Sequence, residues 1–291
     1  MYITNLYALP TPIQQAVVFN DTLRGDLDRR TDIISVTKLI APVQITYLTR
    51  KYWDQLSEDV LDRLWALFGQ AVHAILSWQT PDNDTLIEHR LAIPIADTGM
   101  TLSGQFDRLH LPSGTLSDWK TTSVWSLGDG VKFEWEAQLN ILRYLCQAHG
   151  YQVNKLEVVA ILRDWSHSQA KGEHYPPLPV VTLPVKMWSE NDTYDYIMER
   201  IKLHQAALIT DQPAPCTDQD RWRRPNQYAV KKPGAARALR VLADENEAQS
   251  LVAKTPGAVL EVRSGENIRC ERFCAVAPFC AQFNAKLKLA A

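Results

Sequence analysis

Between Leu86 and Thr122 the chain carries strand chemistry that leaves few architectures open. Leu86–Ile95 reads as one strand and the alternating Met100–Leu111 as a second. Pro112-Ser-Gly supplies a turn, and Thr115-Leu-Ser-Asp-Trp-Lys-Thr-Thr reads as the returning strand. A sheet of this kind needs a cover for its apolar side, and the flanking segments have helical periodicity. Over Glu58–Trp78 the residues Val60, Leu64, Leu67, Phe68, Ala71, Val72 and Ile75 recur at three- and four-residue steps. Trp135–His149 forms a second helix that Gly150 closes at C′, and Ser189 caps a third reaching Leu208. Ser35 caps a short helix that Pro42 interrupts or restarts. Leu156–Leu162 reads as a buried strand and Val180–Val185 as another. Residues 1–30 read as an arm with short extended pieces. The fold class expected is α/β, a mixed β-sheet flanked by helices.

With 46% hydrophobic residues in 291, the chain has material for a large core and is not disordered. No stretch of about 18 uncharged apolar residues occurs, so no membrane span is expected. The start lacks the basic residues and small-residue cleavage site of a secretory signal, and five cysteines are no disulfide scaffold. A cytoplasmic setting is expected, where clustered cysteines mean metal. The run Gln212-Pro-Ala-Pro marks a boundary. The organisation expected is an arm over 1–34, a core over 35–212 with a helical insertion at about 43–79, and a basic module over 213–291. That last segment holds 13 Lys/Arg against 8 Asp/Glu, while the whole chain has a net charge of −2. Within it, 221–240 contains no acid but includes Arg221, Arg223, Arg224, Lys231 and Lys232.

Two segments carry candidate chemistry. In Asp118-Trp-Lys120 the first and third side chains share one side of a strand, and a hairpin partner brings Asp107 of Gly104-Gln-Phe-Asp107 beside them. Converging carboxylates form a hard oxygen site suited to Mg²⁺ or Mn²⁺, with the Trp119 carbonyl able to complete the shell. Lys120 is placed to stabilise charge on a phosphate or to assist a water. Read alone, these are also ordinary exposed polar positions of a hairpin. On the earlier helix Gly69 and His73 stack four apart, so a backbone can approach the glycine while the imidazole projects inward.

The second segment is Cys270-Glu-Arg-Phe-Cys274-Ala-Val-Ala-Pro-Phe-Cys280. Three thiols at this spacing favour a soft metal, and Cys216 is the best fourth ligand. Cys146, inside a helix, reads as a small buried hydrophobe.

Ser35-Val-Thr-Lys-Leu-Ile, Gly69-x-x-x-His73, Glu88, Gly104-x-x-Asp107, Asp118-Trp-Lys120 and Gln138 occur in the order of a known pattern. Over about 35–208 the chain resembles the RecB-like branch of the PD-(D/E)xK nuclease superfamily. The resemblance implies a restriction-endonuclease-like core and a Mg²⁺- or Mn²⁺-dependent phosphodiesterase acting on DNA, in a bacterial or phage-infected cell. It carries His73, Asp107 and Asp118 over as metal ligands, Lys120 as the motif lysine and Gln138 as a residue that positions the strand. One departure concerns the family's Gln-x-x-x-Tyr: Gln138 is followed four residues on by Leu142, and Tyr144 lies about 240° round the helix, at the edge of the core.

Some RecB-like exonucleases, including the CRISPR-associated adaptation exonucleases, carry a [4Fe–4S] cluster on three C-terminal cysteines and one upstream. The three are matched, but the upstream position reads Ala41-Pro42. Either Cys216 substitutes, the cluster is incomplete, or the metal is Zn²⁺. If the basic run reaches the catalytic face, Arg221, Arg223, Arg224, Lys231 and Lys232 would contact phosphates, with Trp222 and Tyr228 stacking on unpaired bases. The expectation is a DNA exonuclease. Its alternatives are an endonuclease of the same superfamily and a non-cleaving DNA-binding or assembly protein, each compatible with a recombination or DNA-processing partner.

Overall fold

The computed structural model describes residues 1–78, 82–128, 130–172 and 174–290; the side chains of 21–29 and 286–290 lie outside the description. The chain divides into two compact units, Met1–Pro213 and Ala214–Ala291. In the first unit the elements run β1 (Tyr2–Thr4), α1 (Thr11–Arg29), β2 (Ile33–Ser35), α2 (Val36–Ile40), α3 (Val43–Lys51), β3 (Ser57–Asp59), α4 (Val60–Leu76), β4 (Thr85–Ile95), β5 (Met100–His110), β6 (Thr115–Thr122), α5 (Phe133–Ala148), β7 (Lys155–Leu162), β8 (Val180–Val185) and α6 (Glu190–Thr210). In the second they run β9 (Gln227–Lys231), β10 (Arg240–Leu242), α7 (Glu245–Lys254), β11 (Val259–Arg263), α8 (Ile268–Arg272) and α9 (Ala281–Ala290).

The first unit is α/β, with a six-stranded mixed sheet flanked by helices. The order β2-β5-β6-β7-β8 has β4 added on β5. β4 pairs antiparallel with β5 along nearly its whole length and so occupies one edge of that strand. The other edge is shared. β2 pairs parallel at Thr101–Ser103 and β6 antiparallel at Arg108–His110. Between those stretches the edge at 104–107 carries no strand, so the sheet forks there. β6 continues beside β7, pairing parallel from Thr115 to Thr122, and β8 closes the sheet antiparallel.

The fork is held open by packing. Phe106, Leu102, Leu109, Leu116, Leu139, Leu142, Leu145 and Leu156 are almost wholly buried in one core, each stabilising by about 1.5–3 kcal/mol. α5 supplies Leu139, Leu142, Leu145 and Cys146 to it, with Cys146 serving as an apolar filler. At Gly104 a Cβ would fall 2.6–2.8 Å from Leu142, Leu145 and Val36, so glycine lets α5 and the start of α2 approach the fork.

Caps fix the helices that carry the site. Ser35 Oγ accepts from the Lys38 amide to start α2, and Asp59 Oδ1 accepts from the Leu61 amide to start α4. Ser189 starts α6, and Gly150, at φ +83°, follows α5.

Residues 1–30 differ from the sequence expectation. They contain the helix α1 and a short strand paired with β3 rather than extended pieces throughout. The apolar residues of α1 are few and only Val17 is buried among its described side chains, which leaves the helical period weak. The segment 43–79 likewise includes the strand β3 besides its helices, and residue 79 lies outside the described residues.

Candidate metal centre

Asp107 sits at the fork. On the edge shared by β2 and β6 it has no ladder partner, and its Oδ2 instead accepts the Trp119 amide proton at 2.6 Å. Trp119 thus meets the site through its N–H. The other oxygen, Oδ1, lies 3.3 Å from His73 Nδ1. α4 delivers that imidazole by lying close on β6: a Cβ at Gly69 would meet Thr121 Oγ1 at 3.2 Å.

Glu88 completes the group. Its Oε1 is 3.5 Å from His73 Nδ1, and its Oε2 accepts from Gln105 Nε2 at 2.6 Å. Glu88 lies between two regular β4–β5 pairs, Ile87 with Arg108 and His89 with Phe106, yet has φ +47°. A left-handed glutamate within a strand is strained, by about 1–3 kcal/mol, and such strain concentrates at functional positions. His73, Glu88 and Asp107 each offer a ligand atom within 4.8 Å of the others, which no other three or more His, Cys, Asp or Glu side chains do among the described residues. His73 and Glu88 line an open cleft of about 610 Å³ with Gly69, Gln70 and Gln105.

Asp118 and Lys120 share one side of β6 and face α5. Asp118 is 3% exposed. Its Oδ1 accepts from Gln138 Nε2 at 3.0 Å, and Lys120 Nζ donates to Gln138 Oε1 at 3.1 Å. Lys120 Nζ also lies 2.5 Å from Asp118 Oδ2, a charge-assisted contact that holds the Asp118 carboxyl down against its burial. The close donor set therefore differs from the expected His73, Asp107 and Asp118. Glu88 stands within it, while Asp118 is engaged with Lys120 and Gln138. Glu88 was part of the sequence pattern, but nothing in its neighbours marked it as a ligand.

The charges are interdependent. Hydrogen bonding to Asp107 and Glu88 raises the His73 imidazole to about 10, against the opposing effect of burial. Burial raises the Asp118 carboxyl above its ordinary range; Lys120 opposes this and the Asp107 charge adds to it. Two carboxylates and an imidazole make a donor set for a divalent cation, which must displace the His73 proton to bind there.

Leu142, in the position where Tyr is expected, is a core residue at 1% exposure, and Tyr144 packs at the core edge against Tyr194. Glu136 accepts from Trp188 Nε1 at 2.5 Å, and Lys132 lies 5.0 Å over the Trp135 ring.

In the second unit, the Cys216 thiol is raised to about 12, by burial first, then by Asp220 and by Cys280, Cys270 and Cys274. These four sulfurs are therefore electrostatic neighbours, with no disulfide among them. No three of them come within 4.8 Å of one another. Among the basic residues, Arg221 and Arg223 both pair with Asp218, and Lys231 pairs with Glu261. Arg224 and Lys232 are exposed. Trp222 already stacks near Phe273, with the Arg269 guanidinium 5.2 Å over its ring.

No protein-family model matches the chain, and no curated protein matches it. Among solved structures, one described as "Crystal structure of SSO0001" has 14% identity and a TM-score of 0.49, over 73% of this chain and 92% of that one.

Proposed function

We propose that the protein is a divalent-cation-dependent DNA nuclease, an exonuclease of the RecB-like PD-(D/E)xK kind, with a restriction-endonuclease-like core. The observation that carries this reading is one imidazole and two carboxylates in mutual ligand reach beside a buried Asp118–Lys120–Gln138 network. His73, Glu88 and Asp107 would hold Mg²⁺ or Mn²⁺. When bound, the ion would supply Lewis acidity toward a phosphate oxygen and a more acidic water. The Trp119 amide fixes Asp107, and Gln105 fixes Glu88, so both carboxylates are orientated before a cation arrives. Gln138 holds Lys120 and Asp118 together, leaving the ammonium available for charge developing on a phosphate.

End-labelled linear DNA with Mg²⁺ or Mn²⁺ tests the reading. Wild-type protein should release short products, while Asp107→Ala and Lys120→Ala should lose about 10²-fold or more in rate with their folds retained. Full metal-dependent cleavage by either folded variant refutes the roles. Degradation of covalently closed circles would assign the endonuclease instead. A non-cleaving DNA-binding role has one observation in its favour, the core Leu142 where a substrate-facing Tyr is expected.

For the tail we propose a cluster on Cys216, Cys270, Cys274 and Cys280. Four thiols around one tetrahedral Zn²⁺ at about 2.3 Å would lie about 3.8 Å apart. The resemblance to cluster-bearing RecB-like exonucleases favours a [4Fe–4S] centre over Zn²⁺. Absorbance near 400 nm in anaerobically purified protein supports this; colourless protein with stoichiometric zinc defeats it. Arg224 and Lys232 remain candidates for backbone phosphate contacts.

A further inference from the structure

A second basic feature lies away from the metal centre, between β2, α2, α3 and α6. There a cavity of about 30 Å³ is lined by Lys38, Thr46, Tyr47, Arg50 and His204, with Arg30 also on its wall. No carboxylate is among its described lining residues. Arg30 is committed to Asp32, but Arg50 is half-buried and its guanidinium has no acceptor among the described residues. The nearby carbonyls at the end of α2 are taken by other donors. Arg200 donates to Leu39 O at 2.8 Å and Ala41 O at 2.5 Å, and His204 Nε2 donates to Leu39 O at 3.3 Å. A desolvated, unpaired guanidinium is costly, and an anion relieves it.

We infer that this cavity is an oxyanion subsite, anchored by Arg50, for the non-bridging oxygens of a phosphate. Its volume suits about two oxygen-sized groups, since one probe sphere needs roughly 10–15 Å³, and a phosphodiester presents two such oxygens. Arg50 supplies a fork of N–H donors, and the Thr46 hydroxyl adds a further one. The subsite is separate from the scissile position. Met100 lines the cavity and Asp107 holds the metal centre, seven residues on along β5, roughly 23 Å at about 3.3 Å per residue. A strand of a few nucleotides is long enough to span the two positions. A nucleic-acid backbone is the source the nuclease reading favours, and only that assignment rests on it.

Metal-free protein is titrated with inorganic phosphate and with sodium chloride at equal ionic strength, following thermal melting and calorimetric heat. Phosphate should raise the melting temperature beyond chloride, and Arg50→Ala should weaken phosphate binding at least tenfold while Arg50→Lys keeps most of it. Equal shifts with the two salts in wild type, or undiminished phosphate binding in folded Arg50→Ala, overturn the proposal. Labelled single strands then identify the source. Weaker binding of a 20-mer by Arg50→Ala, with log K against log salt flattened by about 0.7, assigns the strand backbone. Phosphate binding without any change toward the 20-mer assigns a free phosphate or phosphomonoester. None of these readouts needs cleavage, so failure of the nuclease reading leaves the test intact.

Discussion

His73 is the residue on which the candidate centre turns, because its protonation and its occupancy by a cation exclude each other. In the metal-free chain Asp107 and Glu88 hold the imidazole protonated to about 10. A pKa raised above the unfolded value contributes stability that is complete below about 6.5 and lost as pH rises through about 10. Cation affinity runs the other way, rising across the same window as the proton becomes easier to displace. Glu88→Gln removes one of the two carboxylate charges facing the imidazole and should bring the His73 titration down toward its ordinary value, with Asp107 retaining part of the shift. Imidazole chemical shifts followed against pH in metal-free protein check this. A titration unmoved by Glu88→Gln would take Glu88 out of the group. The variant should also bind Mn²⁺ more weakly, at least tenfold, by calorimetry at fixed pH.

At the scale of elements, function depends on where β5 loses its neighbour. β2 and β6 use opposite ends of one strand edge, and in the stretch 104–107 between them the Asp107 side chain takes the Trp119 amide. Much of this was legible from residue order. Strand chemistry located β4, β5 and β6, the capping serines located α2 and α6, and three- and four-residue apolar steps located α4. The shared edge was not legible, because parallel pairing of Ile33–Ser35 with Thr101–Ser103 joins segments far apart in sequence and leaves no local mark. The φ of Glu88 was equally hidden, since glutamate gives no advance notice of a left-handed backbone as glycine does. Gly104 was visible beside Asp107, but its reason is helix packing: the missing Cβ makes room for Leu142, Leu145 and Val36. Gly104→Ala should therefore destabilise by about 1–3 kcal/mol through overpacking. Urea denaturation measures it; an unchanged midpoint would mean that α5 and α2 do not need that close approach. Because α5 also carries Gln138, the same variant should lower the rate of cleavage without changing any group that touches a phosphate.

The whole molecule joins two units with unequal cores. The largest fully buried side chains, from Leu39 through Phe106 to Ile197, all belong to Met1–Pro213. Among the described residues of Ala214–Ala291, the buried apolar set is Ala229, Val230, Ala248, Val276, Ala277 and Cys280. Such small side chains remove little apolar area from water, and a unit of this size ordinarily needs a disulfide, a metal or a partner to stay folded. With no disulfide, the four cysteines are its available staple. Burial raises the Cys216 thiol to about 12 and lifts those of Cys270 and Cys274, so without metal these three carry no charge to pair at neutral pH. If the proposed metal is the staple, Cys216→Ser or treatment of the metal-loaded protein with a chelator should melt 214–291 while 1–213 keeps its cooperative transition. Limited proteolysis should cut within the tail and leave a resistant fragment ending near Pro213, and calorimetry should show the large transition unmoved. A tail that stays protease-resistant after verified loss of metal would show that its small core suffices, and the cysteine centre would then be wanted for chemistry rather than for folding.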